Sequence, residues 1–120
     1  MNTFGKRIRP VVDTEIHEAF ELEAKGLPDL GFRHLERAHV LGQASTVQHV
    51  RVHMQMLFWA WRHGRFKEAF GQVIRVVGAA TKTAIGLVPT GNTGGADVSP
   101  FRRMPVSGDL QQKIDAASKA

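Results

Sequence analysis

Apolar residues recur along this chain at helical spacing, and glycines at 26, 42 and 64 interrupt the pattern. At about 100° per residue, Val12, Ile16, Ala19, Phe20 and Leu22 share one face of a first helix, predicted from Val12 or Asp13 to Lys25. Asp13 or Thr14 can cap it, and Gly26 stops it. Pro28 suits the first turn of a second helix that continues to about Leu41 and buries Phe32, Leu35, Ala38 and Leu41. Ser45 followed by Gln48 forms a capping box in sequence and opens a third helix, reaching about His63. Val50, Met54, Leu57 and Trp61 form the middle of its buried face, with His49, His53, Met56 and Ala60 as an adjacent stripe. A fourth helix, from Phe66 to Ala84 or Ile85, takes Phe66, Ala69, Phe70, Val73, Ile74 and Val77 as its core face. Gly86 terminates it.

From Leu87 the run VPTGNTGGADVSPFRRMPVSG is too rich in glycine and proline to continue a helix. Its G-x-x-x-x-G spacing lacks the Lys-Ser or Lys-Thr of a phosphate-binding loop, which rules that motif out. Val98, Phe101, Met104 and Val106 are spaced as anchors for laying this segment over the helices, and a short amphipathic helix follows from Asp109 with Leu110 and Ile114 as its anchors. The expectation is an all-α domain. Residues 1–11 form a basic arm carrying Lys6, Arg7 and Arg9, residues 12–86 four helices in two antiparallel hairpins, and residues 87–120 a segment packed outside.

Composition narrows the chemistry. The chain has no cysteine, which removes disulfides, thiolate catalysis and thiolate metal sites, and leaves nitrogen and oxygen as the strong ligands. A formal charge of +5 comes without any nucleic-acid recognition motif, so a nucleic-acid partner is disfavoured. The longest apolar run, Met56 to Trp61, is too short to span a membrane, and the N-terminus lacks the apolar core of a signal peptide. A cytoplasmic location is the expectation these observations leave.

Five of the six histidines fall between His34 and His63. His49 and His53 lie one turn apart and point the same way, a spacing that can place two imidazoles on one metal. His34 and His39 both lie within the apolar arc of the second helix, roughly 140° apart. In antiparallel neighbours, residues equally far from a turn are level, which sets Glu15, His39 and His49 in one layer, with His53 one turn below near the depth of His34. The matching depth on the fourth helix falls at Gly78, Ala79 and Ala80, which offer room and no ligand. The expected metal ligands are therefore Glu15, His39, His49 and His53, with His34 in reserve and Glu36 placed to orient His39. Such a set suits Zn²⁺, Fe²⁺, Mn²⁺, Ni²⁺ or Cu²⁺, whereas Met54 and Met56 read as core filler. No dedicated nucleophile or general base stands out, which favours metal sequestration or delivery over catalysis. The competing reading is a protein-interaction module in which the inward histidines form a structural polar network. Phe58, Trp59 and Trp61 cannot all point into one stripe, so a partner or self-association can cover part of that cluster, with Trp59 expected beneath the C-terminal segment.

Two resemblances rest on particular stretches. AKGLPDLGFRHLERAHVLG (24–42) and RHGRFKEAFGQVIRV (62–76) each place a small residue, Gly31 and Ala69, at a fixed offset from a Gly turn, which resembles tetratricopeptide repeats and implies stacked helical hairpins. HLERAHVLGQ, HVRVHMQML and PTGNTGGADVSPF, in that order, resemble the DUF3703 family from about Asp13 to Leu110. That resemblance implies that the histidine pairs and the GNTGG stretch belong to one unit, and it implies no activity.

Overall fold

The computed structural model describes residues 3–84, 92–96, 98 and 103–119. Five α-helices make up its regular structure: α1 Thr3–Ala24, α2 Pro28–Gly42, α3 Thr46–Arg62, α4 Phe66–Ala84 and α5 Gly108–Ser118, with no strand among the described residues. None of these helices is long and apolar enough to cross a membrane. Gly86, the turns through Gly91 and the anchor Phe101 lie outside the described residues.

The first helix starts well before Val12, so the segment expected as a basic arm is helical from Thr3. The physical reason is that its apolar stripe extends backwards: Gly5, Ile8 and Val12 are buried, and Ile8 and Val12 belong to the main core. Pro10 sits inside this helix, where the missing N–H and the ring clash cost about 3 kcal/mol. Burial of the preceding turn, together with a hydrogen bond from Arg7 Nε to the Ala117 carbonyl on α5, offsets that cost.

The core joins Ile8, Val12 and Ile16 of α1 to Leu35, Ala38 and Leu41 of α2 and to Val52, Met56 and Ala60 of α3. α1 lies closely along α2. At Gly31 the approach is so near that a Cβ would stand 2.8 Å from the Ala19 carbonyl oxygen, which is why no larger residue fits there. The left-handed backbone at Gly26 (φ 79°) and Gly64 (φ 64°) turns the chain after α1 and α3. Ser45 accepts a hydrogen bond from the Gln48 backbone N–H and caps α3, while the Gln48 side chain accepts from Arg51. α5 packs against α1 and α2, buries Leu110 and Ala117, and is tied down by Arg37, which donates to Asp109.

Two expectations about apolar faces are corrected. On α3, Trp61, expected in the middle of the buried face, is exposed, whereas Trp59 is buried, its ring 4.5 Å from Phe32 and its Nε1–H donating to the Pro28 carbonyl. Most of the expected core face of α4 points outward: Phe66, Phe70, Val73, Ile74 and Val77 are exposed, whereas Ala69 is buried as expected, together with Gln72 and Ala79. Among the helices, α4 touches only α3. The half-turn has a cause in the polar residues of α4, because Glu68, Gln72 and Arg75 turn inward to hold Gly94, Gly95, Ala96 and Val98.

Candidate metal centre

His39 comes from the last turn of α2, and His49 and His53 from the first half of α3. All three are buried. Their Nε2 atoms form a nearly equilateral triangle, with separations of 3.0 Å (His39 to His49), 3.1 Å (His39 to His53) and 3.2 Å (His49 to His53). The ring planes of His39 stand at 71° and 68° to those of His49 and His53, so the rings meet through their nitrogen edges rather than their faces.

The outer nitrogens fix the tautomers. His39 Nδ1 lies 2.6 Å from the Asn92 carbonyl oxygen, which can only accept, so the proton is on Nδ1 and Nε2 carries a lone pair. His53 Nδ1 lies 2.6 Å from Gln72 Oε1. The Gln72 amide is oriented by its own donors, since its Nε2 donates to Glu68 Oε2 at 2.7 Å and to the Gly94 carbonyl at 2.9 Å. His53 is therefore also the donor at Nδ1, and its Nε2 carries a lone pair. Two lone pairs thus face each other at 3.1 Å, with the Nε2 of His49 beside both. A proton on His49 Nε2 can serve only one of them at a time. Protonating His39 is no remedy, because burial first, and then the neighbouring His53 and His49, push its pKa well below the ordinary imidazole range.

Residues 92–95 close the site. Gly94 has φ 84°, its N–H donates to Asn92 Oδ1, and a Cβ on it would stand 2.4 Å from Cδ2 and 2.6 Å from Cγ of His39. Only glycine lets the backbone lie this close to the ring. α4 clamps the same stretch, with Glu68 accepting from the Ala96 N–H at 2.9 Å and Arg75 donating to the Gly95 carbonyl at 3.1 Å.

Of the five expected ligands, the structure brings together His39, His49 and His53 and leaves Glu15 and His34 apart. Glu15 is buried, but its Oε1 accepts from His34 Nδ1 at 2.7 Å and from Arg37 Nε at 3.1 Å. Level depth sets height along a helix and not direction around it: His34 and Arg37 face α1, whereas His39 faces α3. Glu36 does not orient His39 either. It pairs with Arg33 at 3.4 Å, and the Asn92 carbonyl takes that role. Glu23, a second carboxylate of α1, accepts from Arg62 and His63, and chiefly the Arg62 hydrogen bond holds its pKa below the usual range. The supporting residues missed from sequence are Gln72, Glu68, Asn92, Gly94 and Arg75. A glutamine at 72 between apolar neighbours was the available signal for the first of these.

The triad can hold a transition metal through three neutral imidazoles. No curated protein and no solved structure matches the chain. The family model described as a protein of unknown function, DUF3703, matches residues 6–114, and the chain belongs to that family.

Proposed function

We propose that the protein binds a divalent transition metal at His39, His49 and His53 and serves in the cytoplasm to sequester or deliver it. The observation that carries this reading is the convergence of three Nε2 atoms within 3.0–3.2 Å while the outer nitrogens of His39 and His53 are tied to acceptors. An equilateral triangle of that size has its corners about 1.8 Å from its centre. With bonds of about 2.0–2.1 Å, that spacing would let all three Nε2 atoms reach one ion together. Nitrogen ligands suit Zn²⁺, Fe²⁺, Ni²⁺ and Cu²⁺ better than Mn²⁺, which prefers oxygen. Hydrogen bonds from Nδ1 to a carbonyl and to an amide raise ligand basicity and hold the rings in place. Glu68 reaches the histidines through the amide of Gln72 rather than by a direct bond to a ring among the described residues, which favours binding over proton-transfer chemistry.

Elemental analysis of tag-free protein tests the proposal. It should find close to one equivalent of metal, lost when His49 and His53 are both replaced by Ala. Protein that takes up none of the five ions at micromolar concentration overturns it.

A second reading keeps the histidines as a structural polar network within a tetratricopeptide-like interaction module. The pairing of α1 with α2 and of α3 with α4 favours it, as do the exposed apolar residues of the second pair. The two readings part on one measurement: a structural network gains no thermal stability from added metal, whereas a binding site gains it as RT ln(1 + [L]/Kd).

A further inference from the structure

α4 is amphipathic in the opposite sense to an ordinary surface helix. Its inner side carries Glu68, Gln72 and Arg75, which are occupied with the segment that closes the histidine site. Its outer side carries Phe66, Phe70, Val73 and Val77, all exposed; of the neighbouring outer positions, Ile74, Ala80 and Thr81 add no charge, and exposed Lys67 flanks the face at one edge. The spacing of the four is 4, 3, 4, the seam pattern of packed helices. α3 repeats it. Val50, Met54 and Leu57 are half-buried and Trp61 is exposed, again at 4, 3, 4, and the Trp61 ring meets Phe66 at 5.6 Å where the two helices join.

We propose that a second copy of this chain covers this face, so that α3 and α4 of two molecules pack about a two-fold axis as a four-helix bundle. Three observations choose this occupant. Helices whose apolar residues repeat at 4, 3, 4 match other helices of the same repeat, and a two-fold axis supplies a partner with the identical pattern. The seam positions of α3 and α4 carry no charge to recognise a charged peptide or surface. The area fits: at about 200 Å² per aromatic and about 150 Å² per aliphatic side chain, the exposed fractions of Phe58, Trp61, Phe66, Phe70, Val73, Ile74 and Val77 come to on the order of 800 Å², what one partner contributes to a standard interface. Such a patch also exceeds the roughly 300–600 Å² that is the largest on an ordinary monomer.

Sedimentation equilibrium on the full chain at 1–100 µM (about that range is set by micromolar interfaces of this size) reads the answer directly. The expected mass is twice the 13.3 kDa of one chain. Phe70→Glu and Val77→Glu, each at an exposed seam position, should weaken association at least about 30-fold, as for a centrally buried anchor. Both should retain the helical circular dichroism of the parent. Because the chain has no cysteine, Val73→Cys gives a clean second test: it should form an intermolecular disulfide under mild oxidation, whereas Glu18→Cys on exposed α1 should not. A monomer throughout the range overturns the proposal, whether its apolar face is then found covered by residues of the same chain or bound to neutral lipid vesicles. A dimer indifferent to both glutamates overturns it equally. Metal uptake by the monomeric variants is measured alongside, so the interface and the histidine site stand or fall separately.

Discussion

Gly94→Ala is the substitution that most directly tests whether the glycine-rich stretch and the histidines form one site. Two costs apply to it. The backbone at φ 84° disfavours any Cβ by about 1–2 kcal/mol. The new atom would also stand 2.4 Å from His39 Cδ2, whereas ordinary contact begins near 3.4 Å, so ring and backbone must part by the difference, about 1 Å. Gly64→Ala separates the two. Gly64 has φ 64° and nothing within 4 Å of its would-be Cβ, so it bears the backbone cost alone. Urea denaturation of the metal-free proteins should show Gly94→Ala less stable than Gly64→Ala by roughly 1–3 kcal/mol, the usual range for forcing an atom into packed space. Metal affinity should divide the pair more sharply. A site tolerates ligand displacements of only about 0.2 Å, so moving the His39 ring by several times that amount should weaken Zn²⁺ binding at least 10-fold. Competition with a chromophoric chelator measures this, and Gly64→Ala should bind as the parent does. If Gly94→Ala binds metal as tightly as the parent and loses no more stability than Gly64→Ala, the glycine does not shape the site and the close approach is incidental.

Three further outcomes follow from the same geometry. Gln72→Leu removes the acceptor of His53 Nδ1 together with the donors to Glu68 and to the Gly94 carbonyl, and should cost about 1–3 kcal/mol in denaturation and 10–100-fold in Zn²⁺ affinity. Glu15→Gln should cost stability in a similar range of about 1–3 kcal/mol through its bonds to His34 and Arg37, yet leave Zn²⁺ affinity unchanged; a large loss of affinity would restore Glu15 to the ligand set. Since His39 is held below its ordinary pKa when folded, the unfolded chain takes up that proton first. Stability of the metal-free protein is then full above about pH 6.5 and falls below it by up to ~1.4 kcal/mol per pH unit, which urea midpoints between pH 7.5 and 5.5 would reveal and a flat profile would contradict.

The positions of the helices were legible because their stops are local chemistry. Gly26 and Gly64 take the left-handed backbone that ends α1 and α3, Pro28 stands at the first position of α2, and Ser45 caps α3 through a bond the spacing to Gln48 anticipates. The start of α1 was not legible, because a proline at position 10 argues locally for a boundary while the buried Ile8 and Val12 that override it declare themselves only once packed. The facing of α4 failed for a related reason. Periodicity locates an apolar stripe and says nothing about whether that stripe meets its own chain or another. In α4 the inward side is set by what Glu68, Gln72 and Arg75 can bond, and those partners lie 20 to 28 residues downstream, at Gly94, Gly95 and Ala96.

The site divides along the same line. His49 and His53 sit one turn apart on one rigid helix, so their convergence is a property of α3 alone and is visible as a spacing. His39 required only that the last turn of α2 meet the first half of α3 across the short turn between them. Glu15 passed the same depth test and still belongs elsewhere, because depth leaves the direction around the helix free and Arg37, next to His34 on that side of α2, offers the carboxylate a cation. What no spacing rule supplies is the residue that finishes a site from a loop. Asn92 acts through its backbone carbonyl and Gly94 through having no side chain, so neither carries a side-chain signature of ligation. The polar inner side of α4 holds that loop against the histidines, and in doing so it turns the apolar side of the same helix outward. The enclosure of the triad and the exposed seam are therefore two consequences of one helix orientation.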